Sequence, residues 1–149
     1  MTCQKTYPIT VEEFKDYFDR DFPYSSTPDD LTGIRDKDIL KAFGEASLVF
    51  NPAFFACDED KKLGFLYLAA HYLVVDIKNS SQGLSSNFAG FLTNKSVGSV
   101  SVGKTLPDWI MASPIYSEIA LDGYGNKYLS LIITQMVGNV VVVKGITLP

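Results

Sequence analysis

The chain of 149 residues contains one histidine and two cysteines, and this scarcity limits its chemistry. A single histidine excludes every metal site that needs several imidazole ligands. Cys3 and Cys57 stand far apart, without the spacing of a metal knuckle or a redox pair, so we interpret both as free thiols. The sequence therefore predicts no metal site and no disulfide framework.

Clustered positive charge is also missing. The chain has 13 lysines and arginines against 17 aspartates and glutamates, and both arginines stand among aspartates. Because a protein that neutralises phosphates needs clustered cations, we expect no sequence-specific nucleic-acid binding. No apolar run approaches the roughly 20 residues that cross a bilayer, and the N-terminus lacks the apolar core of a signal peptide. We therefore expect no membrane partner and a cytosol-like compartment.

The composition that remains is that of one soluble globular domain, predicted to span residues 1–149. Hydrophobic residues make up 46% of the chain and charged residues 20%, and the length suits one core better than two. The charge is uneven. Residues 1–62 carry thirteen acidic and eight basic side chains, whereas residues 63–149 carry four and five, so the two halves face different surroundings.

Three helices are predicted in the first half of the chain. Thr10 and Glu13 match a capping box that opens the first. A second begins at Asp36 or Asp38 and repeats apolar residues at intervals of three and four. The third, apolar nearly all round, extends from about residue 58 to 79 and is predicted to be the central core helix. The predicted buried face of the second helix comprises Ile39, Leu40, Phe43, Ala46 and Phe50.

The second half is predicted to combine helices with extended segments. Lys95–Lys104 alternates valine and serine with the two-residue period of a strand, so we predict an extended β-arm or hairpin there, within a protruding segment of about 80–105. A helix carrying Trp109 follows, and a last helix is expected to end at Gly138. The β-branched tail 138–149 is predicted to be an extended C-terminal arm. The fold class is therefore mainly α, a small helical bundle over about 10–137 with these two arms.

No catalytic, cofactor-binding or metal-binding residue is predicted. His71 lies within the core helix, where we interpret it as a structural residue bonded to a neighbouring backbone or hydroxyl group. No Gly-x-Ser-x-Gly elbow accompanies it, and Gly98 and Gly103 lack the strand, glycine and helix order of a phosphate cradle. An isolated strand is unstable in water, so the C-terminal arm must pair with the chain's own arm or with another chain.

Several segments, taken in order, resemble phage head-tail adaptor proteins of the DUF4054 type. They are Leu68-Ala-Ala-His-Tyr-Leu73, Lys95-Ser-Val-Gly-Ser-Val-Ser-Val102, Trp109-Ile110 with Ser113-Pro114, and Tyr124-Gly125-Asn-Lys-Tyr128-Leu129. The resemblance covers most of the chain. One departure is clear: the family's tryptophan helix runs quickly into a Thr-Pro-Tyr-Gly-like turn, whereas the segment from Ile115 to Asp122 intervenes here.

This resemblance implies a structural virion protein that is not an enzyme and needs no cofactor. It would form a ring, commonly a dodecamer, below the portal protein and join it to a downstream neck or tail protein. The implied contacts between subunits are Val97, Gly98, Val100 and Val102. The implied portal-docking arm contains Val140, Val141, Val142, Val143, Ile146 and Leu148. The alternatives are a soluble cytosolic binding or regulatory module and, behind it, a small enzyme.

Overall fold

The computed structural model describes residues 9–82 and 108–142, and its regular structure there is helical. Within these ranges no β-strand is present, and Tyr24 and Ile34 form an isolated parallel bridge. A mainly helical fold is thus confirmed, while the predicted β-arm at 95–104 lies outside the described residues. The helices are α1 (Val11–Tyr17), α2 (Asp36–Val49), α3 (Asp58–Gln82), α4 (Asp108–Met111), α5 (Pro114–Ile119) and α6 (Gly123–Val142), with a 3₁₀ turn at Pro52–Phe54.

The capping box predicted at the start of α1 is present. Thr10 Oγ1 accepts a hydrogen bond from the Glu13 amide at 3.2 Å, and Glu13 Oε2 accepts one from the Thr10 amide at 2.9 Å. This bond to the Thr10 amide lowers the pKa of the Glu13 carboxyl from its usual value. Two of the unpaired amides at the helix start are satisfied in this way.

Helix α3 is the core of the bundle, as its all-round apolar pattern predicts. It packs against both α2 and α6. Leu68, Ala69, Ala70 and Leu73 are completely buried along it. Polar contacts join the same helices at the edges of these interfaces: Lys41 of α2 forms an ion pair with Asp76 of α3, and Gln135 of α6 donates a hydrogen bond to Asp60 of α3.

An aromatic cluster joins α1 to the rest of the molecule. It consists of Phe14, Phe18, Phe22, Phe43 and Tyr124. The Phe14 ring lies 4.9 Å from Phe18 and 5.6 Å from Phe43, measured between centroids, and the Phe18 ring lies 5.6 Å from Tyr124. Most of these pairs are tilted or edge-to-face, which the charge distribution of aromatic rings favours. Helix α1 has only two turns, so this packing rather than its own hydrogen bonds must hold it in place.

The structure corrects the predicted buried face of α2. Leu40 is 57% exposed, although the sequence pattern placed it in the core. The buried residues Ile39, Ala42 and Ala46 follow the i, i+3, i+7 stripe that faces α3, and Leu40 is turned about 100° away from Ile39 around the helix axis.

The prediction that the last helix stops at Gly138 is wrong. Helix α6 continues to Val142, so Val140, Val141 and Val142 are helical rather than part of an extended arm. A glycine inside a helix costs only about 1 kcal/mol relative to alanine, and β-branched residues lower helix propensity slightly, so neither ends a helix alone. Of the predicted arm, residues 143–149 lie outside the described residues.

Candidate functional site

His71 is buried in the middle of α3 and bonds to a carboxylate. Only 2% of the residue is exposed. Its Nδ1 lies 2.6 Å from Oδ2 of Asp122, whose side chain is 12% exposed. The predicted burial is therefore observed, but the predicted backbone or hydroxyl partner is replaced by an acidic side chain from the loop before α6. This bond ties the centre of the core helix to a distant part of the chain.

The same carboxylate caps the start of α6. Asp122 Oδ1 accepts a hydrogen bond from the Gly125 amide at 2.6 Å, and the Asp122 backbone carbonyl accepts one from the Asn126 amide at 3.0 Å. Aspartate is among the preferred residues at this position, because its charge and oxygens satisfy the free amides of the first turn. Each oxygen of one side chain thus fixes a different helix.

Gly125 completes the arrangement because no other residue fits. A Cβ atom at this position would overlap the backbone carbonyl of Ile119, the last residue of α5. The obstacle is backbone, so a side-chain rotation cannot relieve it. We call His71, Asp122, Gly125 and Ile119 the polar junction. It sets the position of α5 and of the first turn of α6 against α3.

In hydrolytic triads a histidine acts as the base and a carboxylate orients it, so His71 and Asp122 resemble two members of a triad. In the described part of the chain, no serine or cysteine side chain hydrogen-bonds to the His71 ring. With His71 almost completely buried, the arrangement acts as a link between helices.

Tyr128 belongs to the same buried region. It is completely buried on α6, with its ring 6.4 Å from Phe50 and 6.3 Å from Phe55, measured between centroids. Burial raises the pKa of its phenol well above the usual value. Phe55 packs in turn on Gly64 of α3, where a Cβ atom would lie 2.5 Å from its ring. Tyr128 therefore anchors α6 to the turn between α2 and α3.

The exposed apolar side chains form candidate contact surfaces. Trp109 of α4 is 37% exposed, Ile115 of α5 51%, and Leu121 of the turn after α5 61%, and we call these three residues the hairpin surface. The Trp109 ring packs edge-on against Tyr116 with 5.6 Å between centroids, which gives it a fixed support. Exposed aromatic and aliphatic groups of this kind are typical of protein interfaces.

The residues predicted as contacts mostly cannot be placed. Val97, Gly98, Val100 and Val102 lie outside the described residues. Val140, Val141 and Val142 lie on α6, while Val143, Ile146 and Leu148 lie beyond it. Sequence reasoning missed Asp122, although aspartate followed by Gly-Tyr-Gly just before an apolar helix is a signal for a helix cap.

Comparison with known proteins finds no matching family model, no similar curated protein and no similar solved structure. Residues 9–82 and 108–142 contain no helix that is long and apolar enough to cross a membrane. They also contain no group of three or more side chains of the kinds that ligate metals.

Proposed function

We propose that the chain is a structural phage head-tail adaptor. In this role it is a virion protein, made in the host cytoplasm, that forms a ring, commonly a dodecamer, below the portal protein. The ring joins the portal to a neck or tail protein and catalyses no reaction. The contacts predicted from the sequence belong to this proposal. They are Val97, Gly98, Val100 and Val102 between subunits, and the C-terminal residues toward the portal.

The observation that carries the proposal is the packing of two resemblance segments on each other. Leu68 of α3 and both Tyr128 and Leu129 of α6 are at most 1% exposed in one core. The histidine of the first segment bonds to Asp122, which caps the helix of the second. Two of the segments that carry the resemblance therefore lie on packed helices and contribute to one core, which supports the proposal.

The segment that departs from the family pattern also has a structural role. Ile115 to Asp122 supplies most of α5 together with the aspartate of the polar junction. It therefore adds a short helix to the bundle and secures it, without separating α3 from α6. The extra segment thus belongs to the same core as the segments that carry the resemblance.

Exposed apolar groups support a role in assembly. A ring subunit must cover one part of its surface with a neighbour and another with the portal or tail. The hairpin surface offers Trp109, Ile115 and Leu121, and α2 exposes Leu48 at 84%. Because α6 is helical to Val142, the portal-docking element is proposed as the end of this helix followed by residues 143–149.

The test is binding of the purified chain to assembled cognate portal rings, followed by electron microscopy of the complex. We expect a ring of adaptor density on one face of the portal. A chain truncated after Val142 should keep its helical circular dichroism and fail to bind. Undiminished binding would show that residues 143–149 are not the docking element, and a full-length chain that stays monomeric beside portal rings would refute the adaptor function.

A further inference from the structure

A glycine lies in the middle of α2, where nothing else in the subunit requires one. Gly44 is exposed and helical, and in the described part of the chain no atom beyond its own helix backbone lies within 4 Å of the position that a Cβ atom would take. Glycine makes the interior of a helix less stable than alanine does. Its advantage on a helix surface is that a second helix can come close to the backbone there.

Two exposed leucines flank this glycine at a distance of one helical turn. Leu40 stands four residues before Gly44 and is 57% exposed, while Leu48 stands four residues after it and is 84% exposed. Residues four apart share one face of a helix, so the three form a continuous stripe, which we call the α2 stripe. Its pattern is the same in both directions from Gly44.

This symmetry indicates what covers the stripe. In a pair of chains related by a twofold axis, the same patch of both copies meets itself. If the axis passes beside Gly44 and the two helices are antiparallel, each residue before Gly44 lies opposite the residue equally far after it. Leu40 of one copy then meets Leu48 of the other, twice. The surface of a second copy therefore offers an apolar group for each exposed leucine.

A hollow beside the stripe gives these leucines room. It has a volume of about 270 Å³ and is lined by Gly44, Ser47 and the apolar residues Ile9, Phe43, Phe50, Pro52 and Phe65. Ligand pockets are usually larger, roughly 300–1,000 Å³, whereas helices pack by inserting side chains into hollows between those of the partner. The Ser47 hydroxyl donates to the Gly44 carbonyl at 2.7 Å, so covering it leaves no donor unpaired.

The charges along α2 favour the antiparallel orientation. Lys41 forms ion pairs with Asp76 at 2.9 Å and Glu45 at 3.6 Å, so its charge is already balanced. Lys37 is exposed and forms no ion pair within the described residues. A parallel pair would bring both copies of Lys37 together, and like charges in contact are unfavourable. In the antiparallel pair Lys37 lies toward the last turn of the other α2, which carries no charge.

We propose that the α2 stripe is a self-association surface that binds the same stripe of a second copy, antiparallel and about a twofold axis at Gly44. Such a contact closes on itself in a pair and does not build a ring, so it is a different contact from those of the adaptor function. The α2 stripe lies on a helix of 14 residues, about 21 Å long, and a stable interface needs about 800 Å² from each partner. The pair should therefore be weak and reversible.

The first test is analytical ultracentrifugation of the full chain up to about 1 mM, because an interface this small is expected to be weak. A reducing agent prevents disulfides of Cys3 and Cys57. We expect a monomer–dimer equilibrium whose dissociation constant rises at least about tenfold in Leu48→Ser, since burial of one leucine is worth that much. Leu31→Ser is the matched control, because Leu31 is 80% exposed but lies in the loop before α2, and its dissociation constant should equal that of wild type.

The second test separates association from folding. Gly44→Gln places a good helix former where nothing obstructs it, so the melting temperature of the monomer should stay the same or rise. The same side chain holds the two helices apart, so dimerisation should weaken by at least about tenfold. A chain that stays monomeric at every concentration would overturn the proposal. So would a dimer that Leu48→Ser and Gly44→Gln leave unchanged, since another surface would then form it.

Discussion

The aromatic cluster and the polar junction attach two parts of the molecule to the bundle by different means. In the aromatic cluster, Phe14 contacts three other rings at centroid distances of 4.9 to 6.1 Å and at several angles. In the polar junction, Asp122 makes two hydrogen bonds of 2.6 Å beside a glycine that admits no Cβ. Neighbouring rings can shift to accommodate a change in the cluster, whereas the junction depends on particular atoms at fixed positions. The two regions should therefore respond differently to small changes.

The largest effect is expected for Gly125→Ala. The added Cβ overlaps the Ile119 carbonyl, so α6 must shift away from α5, at a cost of about 3 kcal/mol or more in the free energy of unfolding. Urea denaturation measures this loss. Gly123→Ala is the matched control, because nothing lies within 4 Å of its Cβ and it should be neutral or slightly stabilising. Equal stability of the two variants would show that the close approach is not real.

The second prediction separates the two bonds of Asp122. Asp122→Ala removes the helix cap and leaves His71 without its partner, so the free energy of unfolding should fall by about 2–3 kcal/mol. Asp122→Asn keeps a good capping group and one amide oxygen, so about half of this loss should be recovered. Thermal unfolding of both variants is the measurement. An alanine variant as stable as wild type would contradict the role of the junction.

A substitution in the aromatic cluster should lower the free energy of unfolding by less than Gly125→Ala does, although Gly125→Ala adds only one methyl group. Phe14→Leu removes several buried carbons, but the neighbouring rings can move into the space, so we expect a loss of about 1–2 kcal/mol. Denaturant unfolding gives the value. A loss greater than that of Gly125→Ala would reverse the comparison between the two regions.

The two helix caps, Thr10 and Asp122, differ in their surroundings. Thr10 caps α1 at the surface, while Asp122 caps α6 in a nearly buried site. Thr10→Ala should therefore lower the free energy of unfolding by about 1 kcal/mol, which is typical of an exposed cap. Thermal unfolding beside Asp122→Ala gives the comparison, and a larger loss for Thr10→Ala would mean that the bond to His71 adds no stability.

The smallest effect at neutral pH is expected for Tyr72, which adjoins His71. Burial, with smaller contributions from Glu118 and Glu45, raises the pKa of its phenol from 10.0 to about 12. A phenol whose pKa is higher in the folded state contributes stability below pH 10, and this contribution is lost as the pH rises through about 12. Tyr72→Phe should thus flatten the fall of the melting temperature between pH 10 and 12. Parallel curves for the two proteins would contradict this.

Local sequence signals predicted much of the fold. The capping box of Thr10 and Glu13 and the central place of α3 are confirmed, and α2 starts at Asp36, one of the two positions predicted. Each of these features depends on residues only a few positions apart in the sequence, so the local pattern is sufficient to predict it. Two predictions failed. Leu40 lies beside the buried stripe of α2 and is exposed, and one glycine with a β-branched run was too weak a signal to end α6.

The sequence by itself therefore determined a mainly helical bundle with α3 at its centre, because helix caps and apolar periodicity act within one or two turns. Only the tertiary structure decided that His71 would meet Asp122 and that Gly125 would touch Ile119. These partners come from separate helices and loops, and no local pattern states which helix faces which.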